Sequence, residues 1–216
     1  MFEDRADAGR QLAKAMDYYR QDSNVLLLAL PRGGVLVAAE IARELGLAMA
    51  LLWVRKIGVP RHIELAMGAV MGQTPPIVVR NDDIIGMYGI TENDFQKALQ
   101  RELEEISHRQ ERYGQAAGQA EIAGRIAIIV DDGIATGATA LSAVRGVRAC
   151  GPQKIVLAVP VASRESLREI AHDVDDIVCI ENAMAMGAIG FYYGDFHQVT
   201  EDEFMECMKL SGLRDS

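Results

Sequence analysis

The chain has 216 residues, 50% of them apolar and 25% charged, enough to bury a sizeable hydrophobic core. Its net charge of −9 argues against nucleic acid as a partner, since affinity for a phosphate backbone comes from clustered Lys and Arg. The cysteines Cys150, Cys179 and Cys207 show no CxxC spacing, which disfavours a disulfide framework or a zinc site and fits reduced thiols of a cytoplasmic protein.

The opening MFEDRADAGRQLAKAM is charged throughout, with no apolar stretch of the kind a secretory signal needs. No apolar run reaches the ~18 residues of a membrane span, so no membrane partner is expected. Residues 3–21 read as an amphipathic helix with Leu12, Met16 and Tyr19 on one side, a flank packed on a sheet without chemistry of its own. Asn24–Leu30, NVLLLAL, is a first buried strand. Pro31-Arg32-Gly33-Gly34 follows, and Val37, Ile41 and Leu45 then keep helical spacing. Paired glycines let backbone amides approach an anion, and Arg32 offers a planar fork suited to phosphate oxygens. Taken alone, the same four residues also describe a plain turn before a helix.

Met49–Val54, MALLWV, reads as the next strand, delivering Arg55 and Lys56 at its carboxyl end. Ile63–Arg80 suggests a β-hairpin or irregular arm, interrupted by Gly68, Gly72 and Pro75-Pro76. Glu64 is the first acid in that arm, where a surface ion pair is a plainer reading than a catalytic one. Asp82–Tyr88 reads as a short helix. Thr91 then caps a long one, with Asp94 in capping-box position and a narrow apolar stripe at Phe95, Leu99, Leu103 and Ile106. Its mixed charges, Arg101 and Arg109 among them, read as a solvated face. The stripe fits packing on the domain or on a twin subunit. Gly114–Gly124 is a flexible return.

The chain is organised around RIAIIVDDGIATGAT, Arg125–Thr139. Ile126–Val130 is an apolar, mostly β-branched run, as in a strand buried on both faces of a parallel sheet. Asp131 and Asp132 close it. Gly133, Thr136, Gly137 and Thr139 form a small loop ahead of a helix over Ala138–Cys150. This order aims backbone N–H groups and a helix N-terminus at an anion, beside acids able to hold a polyol or the waters of a metal. Neither GxxxxGK[ST] nor GxGxxG is present. Strands at Lys154–Val161 and Asp176–Glu181 flank a short helix at Glu165–Ala171. The alternation predicts a doubly wound α/β fold around a mostly parallel sheet, with ligands at the strand carboxyl ends. Ala188–Val199 gathers aromatic and imidazole groups, and Thr200–Leu210 reads as an acidic amphipathic helix.

VDDGIATGAT resembles the PRPP-binding motif of the type I phosphoribosyltransferases, where PRPP is phosphoribosyl pyrophosphate. With VRKIGVP, ELAMGAV and the helical insert, nearly the whole chain is similar to a branch known as predicted phosphoribosyltransferases. The resemblance implies one domain over 1–216, with a helical insert at 82–113 and a C-terminal hood at 182–216. It implies that Asp131 and Asp132 take the ribose hydroxyls and, mainly through water or those hydroxyls, Mg²⁺. Ala135, Thr136, Gly137, Ala138 and Thr139 would cradle the 5′-phosphate. Pro31–Gly34 would be the pyrophosphate loop, with a strained, cis, non-proline peptide; Arg32, Gly33, Gly34 and Lys56 would serve the leaving group, with Arg55 in support. Phe191 or Tyr192 would stack on the base, with Asp195 orienting the hood, and the 63–80 arm would close over the reaction.

Two departures are evident. Val59 stands where the family usually has a second lysine, and Ala135 replaces the aspartate that hypoxanthine–guanine enzymes place before the Thr-Gly pair. The implied activity is Mg²⁺-dependent transfer of phosphoribosyl from PRPP to a nitrogenous base, a purine favoured, in a homodimer. The alternative is a non-catalytic PRPP or nucleotide sensor on the same fold.

Overall fold

The computed structural model describes residues 1–73, 75–113, 122–184 and 187–210. Five parallel strands form the central sheet: β1 (Val25–Ala29), β2 (Ala48–Leu51), β6 (Ile126–Val130), β7 (Lys154–Ser163) and β8 (Asp176–Ala183). Their spatial order is β2-β1-β6-β7-β8. Leu28 pairs with Ile129 across β1 and β6, and Ile129 with Leu157 across β6 and β7.

Alternate residues of these strands face opposite helical layers. Leu27, Ile128 and Val156 belong to one buried cluster, shared with helices α1 (Arg5–Ala15), α2 (Gly33–Leu45) and α7 (Glu201–Leu210). Leu26, Ile129 and Leu157 belong to another, shared with α5 (Ala138–Ala149) and α6 (Arg164–Ile170). With both faces covered, the strands must be apolar on both sides, as the Ile126–Val130 run indicates. Leu12, Met16 and Tyr19 are buried as expected, although α1 stops at Ala15 and a single 3-10 turn carries the chain past Tyr19.

One expectation needs correction. The apolar run Met49–Val54 is not one strand. β2 ends at Leu51, Leu52 and Trp53 cross over, and β3 (Val54–Val59) opens a second, antiparallel sheet with β4 (His62–Met71) and β5 (Ile77–Arg80). Leu52 and Trp53 are buried at the crossing, so hydrophobicity alone does not mark the break. Arg55 and Lys56 therefore lie within β3, not at the end of a parallel strand. The β4–β5 pair is the hairpin expected of the 63–80 arm. The side chain of Glu64 and residues 114–121 lie outside the described residues.

The insert forms α3 (Asp82–Met87) and α4 (Glu92–Tyr113). Thr91 Oγ1 accepts from the Asp94 N–H at 3.2 Å and donates to its carboxylate at 2.6 Å, so the cap forms as the sequence indicates. Phe95, Leu99 and Ile106 are buried against the core that includes Ile57, Met67 and Val70 of the second sheet. The stripe thus packs within the chain.

Candidate active site

In the order β2-β1-β6-β7-β8 the chain reverses its direction of build between β1 and β6. Open α/β sheets form their ligand crevice at such a point, outside the strand carboxyl ends. The two segments that leave those ends are Pro31–Gly34 after β1 and Asp131–Thr139 after β6. The peptide joining Pro31 to Arg32 is cis.

The glycine pair has a function that the sequence alone does not show. A Cβ on Gly33 would lie 1.8 Å from Asp132 Oδ2, and one on Gly34 would lie 2.6 Å from the Val130 carbonyl oxygen. The glycines let the first turn of α2 seat directly against the acid pair. Asp131 is half-buried and its Oδ1 accepts from the Asp132 N–H at 2.9 Å. Burial, followed by the adjacent Asp132 charge, pushes the Asp131 carboxyl well above its ordinary value of 3.8.

Asp132 is held from two sides, by Arg5 and Tyr193. Arg5 Nε donates to Asp132 Oδ2 at 2.7 Å, and Arg5 Nη1 donates to the His197 carbonyl at 2.9 Å. The guanidinium lies 4.0 Å from the centre of the Phe196 ring. Tyr193 donates its hydroxyl to the Asp132 carbonyl at 2.6 Å, and burial raises its pKa strongly. The first helix, expected to be a flank without chemistry, therefore supplies a buried cation to the acid pair. Among the described residues no donor reaches Oδ1 of Asp132, which leaves it for a hydroxyl or a hydrated metal.

The loop after the acids is fixed by backbone and serine contacts. Ile134 donates to Val161 and accepts from Ser163, tying the loop to β7. The Ala135 carbonyl accepts from Ser163 Oγ at 3.0 Å and Ser166 Oγ at 2.7 Å. Gly137 takes a positive φ of 75° as the residue before α5, a conformation that favours glycine. The N–H groups of Ala135, Thr136 and Gly137 donate to no described residue, and the first-turn N–H groups of α5 have no helical acceptor. Such a set of free donors at a helix N-terminus is a site for an anion.

A cleft of about 560 Å³ opens beside the acid pair, bordered by Pro31, Lys56, Asp131 and Thr139. Arg55 borders it as well, its Nε donating to Glu102 at 2.9 Å. A second hollow of about 450 Å³ lies between the β4–β5 hairpin and α5, with Thr136, Gly137 and Ala138 on its rim. Of the expected PRPP residues, Arg55, Lys56, Asp131 and Thr139 border the first hollow, Thr136, Gly137 and Ala138 the second, and Gly33, Gly34, Asp132 and Ala135 neither. Arg32 is not on the wall of the first cleft; its charge acts on Glu201 of α7.

The expected base-binding residues form a separate group. Phe191 is 77% exposed, Tyr192 is half-buried, and the neighbouring Tyr193 is the buried ring. Asp195 accepts from the His197 backbone and faces its Nδ1 at 2.8 Å, which lowers its pKa. The other imidazole nitrogen lies 2.8 Å from Glu203. Hydrogen bonds from the Thr200 hydroxyl and backbone N–H, then from His197, bring the Glu203 carboxyl down to about 2.

A family match and two kinds of relative agree with this geometry. The phosphoribosyl transferase domain family matches residues 2–195, and the chain belongs to that family. Two proteins of Mycobacterium tuberculosis, from strains H37Rv and CDC 1551, carry the provisional name phosphoribosyl transferase. Each is 40% identical over 203 residues, covering 94% of this chain and 45% of the relative. The chain therefore spans less than half the length of those relatives. The crystal structure of TT1426 from Thermus thermophilus superposes with a TM-score of 0.87 at 35% identity, covering 96% of this chain and 97% of that one.

Proposed function

We propose that this chain transfers the 5-phosphoribosyl group of PRPP to a ring nitrogen of a base, a purine favoured, and releases pyrophosphate. The observation that carries the reading is the meeting of the Gly33–Gly34 turn and the Asp131–Asp132 pair at the sheet's switch point, beside a cleft that Lys56 borders. In this reaction the C1–O bond to pyrophosphate breaks with its electron pair on the departing oxygen. A lone pair on the base nitrogen forms the new bond, and the nitrogen's proton passes to solvent.

Asp131 and the free Oδ1 of Asp132 accept the ribose hydroxyls, which fixes C1 in line between base and leaving group. The free N–H groups of Ala135–Gly137, with Ala138, Thr139 and the N-terminus of α5, hold the 5′-phosphate. Lys56, supported by Arg55, meets the charge that develops on pyrophosphate. Arg32, at the start of α2, adds its charge to the same leaving group. The donor set suits Mg²⁺, which binds one or two carboxylates and completes its shell with water and substrate phosphates. Burial and then the Asp132 charge raise the Asp131 pKa, and a cation would offset both by favouring the ionised form. Bound there with PRPP, Mg²⁺ would neutralise phosphate charge. Phe191 or Tyr192 stacks on the base, Asp195 orients that segment, and the protein works as a cytoplasmic homodimer.

The test is calorimetric titration of PRPP with Mg²⁺, followed by pyrophosphate release against a panel of bases. PRPP binding abolished by Asp131→Asn/Asp132→Asn, with turnover on one base, supports the transferase and names its acceptor. Binding without turnover on any base favours a PRPP sensor. Absence of PRPP binding overturns both readings.

A further inference from the structure

In a chain of net charge −9, one cleft gathers four cations on its walls: Arg55 and Lys56 from β3, and Arg101 and Arg109 from α4. The carboxylates on the same walls are Glu102 and Asp131. Glu102 is already committed, with Oε2 accepting from Arg55 at 2.9 Å and Oε1 lying 3.9 Å from Arg101 Nε. It offsets one charge between two guanidinium groups and leaves that cluster positive. Arg109 is half-buried and meets no hydrogen-bond or ion-pair partner among the described residues.

Trp53 lies on the same wall. Its residue is 4% exposed and its indole N–H has no acceptor among the described residues. That nitrogen has almost no exposed surface, so the indole marks the cleft wall and is not itself a contact for a ligand. The helix that brings the arginines is firmly held. Gln110 Nε2 donates to the Gly72 carbonyl at 2.8 Å, and Arg112 Nε donates to Glu201 of α7 at 2.8 Å. The Tyr113 ring lies between Trp53 and Phe204, with centroids 6.0 and 4.8 Å away. The helix backbone that carries these arginines is ordered on folding, so binding has only their side chains to fix.

We propose that the insert is a wall of the substrate site, in which Arg109 and Arg101 bind a diphosphate group in the cleft shared with Lys56. Guanidinium forks pair bidentately with phosphate oxygens. Eight residues, or about 12 Å along the helix axis, separate the two arginines. Long side chains from the two positions can converge on one polyanion, each fork taking a different phosphate. The diphosphate is assigned to PRPP on the strength of the transferase reading; the polyanion site stands without it.

The chain's one tryptophan reports on this cleft directly. Inorganic pyrophosphate is titrated into the full chain, with and without Mg²⁺, following Trp53 fluorescence and calorimetric heat. Arg109→Ala should weaken binding about tenfold and Arg101→Ala/Arg109→Ala further, as for loss of charge-assisted hydrogen bonds. Arg109→Lys should retain part of the affinity. Lys14→Ala, an exposed cation of α1 away from the cleft, should leave it unchanged, and far-UV circular dichroism checks that each variant is folded. Ribose 5-phosphate, which lacks the diphosphate, should bind all variants alike.

Failure of the wild-type chain to bind pyrophosphate overturns the proposal. So does unchanged affinity in the double variant, or equal weakening of ribose 5-phosphate. Base turnover with an unaltered KM for PRPP in the double variant would refute this inference and leave the transferase reading intact. Arginine-dependent pyrophosphate binding without PRPP binding would uphold the polyanion site and refute the transferase reading.

Discussion

Arg5 Nε and Asp132 Oδ2 lie 2.7 Å apart across 127 residues of sequence, with their side chains 7% and 15% exposed. Through this guanidinium, α1, the acid pair and the C-terminal segment at His197 share one buried charge. Removing one partner of such a pair strands the other in a poorly solvated place. Arg5→Ala is expected to cost about 3 kcal/mol, the lower end for a buried pair because Asp132 keeps some solvent contact. Urea denaturation should show a lower midpoint at unchanged slope, with Arg5→Lys intermediate. A change under about 0.5 kcal/mol would mean that water replaces Arg5 at no net cost.

Nothing local in the sequence marks this pair. β1 and β6 announce themselves through continuous apolar runs, and the acid pair and its loop through the concentration of special residues that follows. Those signals are local. Arg5 sits on an ordinary amphipathic helix, and no window around it encodes a partner 127 residues away. Arg101 and Arg109 are hidden differently: a mixed-charge helix face looks solvated whether or not a cleft opens in front of it. Trp53 shows a third limit, since a buried crossing between two sheets carries the same hydrophobicity as the strand before it.

The glycine pair predicts an inversion of the usual helix rule. Gly33 and Gly34 lie in the first turn of α2, where replacing a helical glycine by alanine would ordinarily gain roughly 0.5–1 kcal/mol. Here Gly34→Ala drives a methyl group into backbone, 2.6 Å from the Val130 oxygen and 2.9 Å from Asp131 Cα. Gly33→Ala meets a carboxylate tip pinned by Arg5. Both should destabilise, Gly34→Ala by more than about 2 kcal/mol and Gly33→Ala by less, because a side chain yields before a backbone does. Thermal unfolding of the two variants checks the order, and a gain in either one refutes it.

Asp131 should trade stability against binding. Its folded-state pKa is raised, so ionising it in the native chain costs free energy, and the cost grows as pH rises from the unfolded value through the folded one. Asp131→Asn is therefore expected to raise the melting temperature at neutral pH while weakening PRPP. In the wild type, PRPP affinity should climb as pH rises through a value well above 3.8, because the ionised form accepts ribose hydroxyls. The variant should show a flat profile. A wild-type affinity without pH dependence from mildly acidic to neutral conditions would remove Asp131 from the ribose site.

Two aromatic residues of one segment, Phe191 and Tyr193, should separate stability from recognition. Phe191 is 77% exposed, so Phe191→Ala should leave folding within about 0.5 kcal/mol of the wild type. If its ring stacks on the base, loss of that contact, roughly 0.5–1.5 kcal/mol beyond burial, should raise KM for the base several-fold with kcat unchanged. Tyr193→Phe should do the reverse. It removes the 2.6 Å hydrogen bond to the Asp132 carbonyl at a cost of about 1 kcal/mol, leaving base KM near the wild-type value. Equal KM in wild type and Phe191→Ala would shift the stacking role to the half-buried Tyr192, for which Tyr192→Ala in the same assay should then carry the effect.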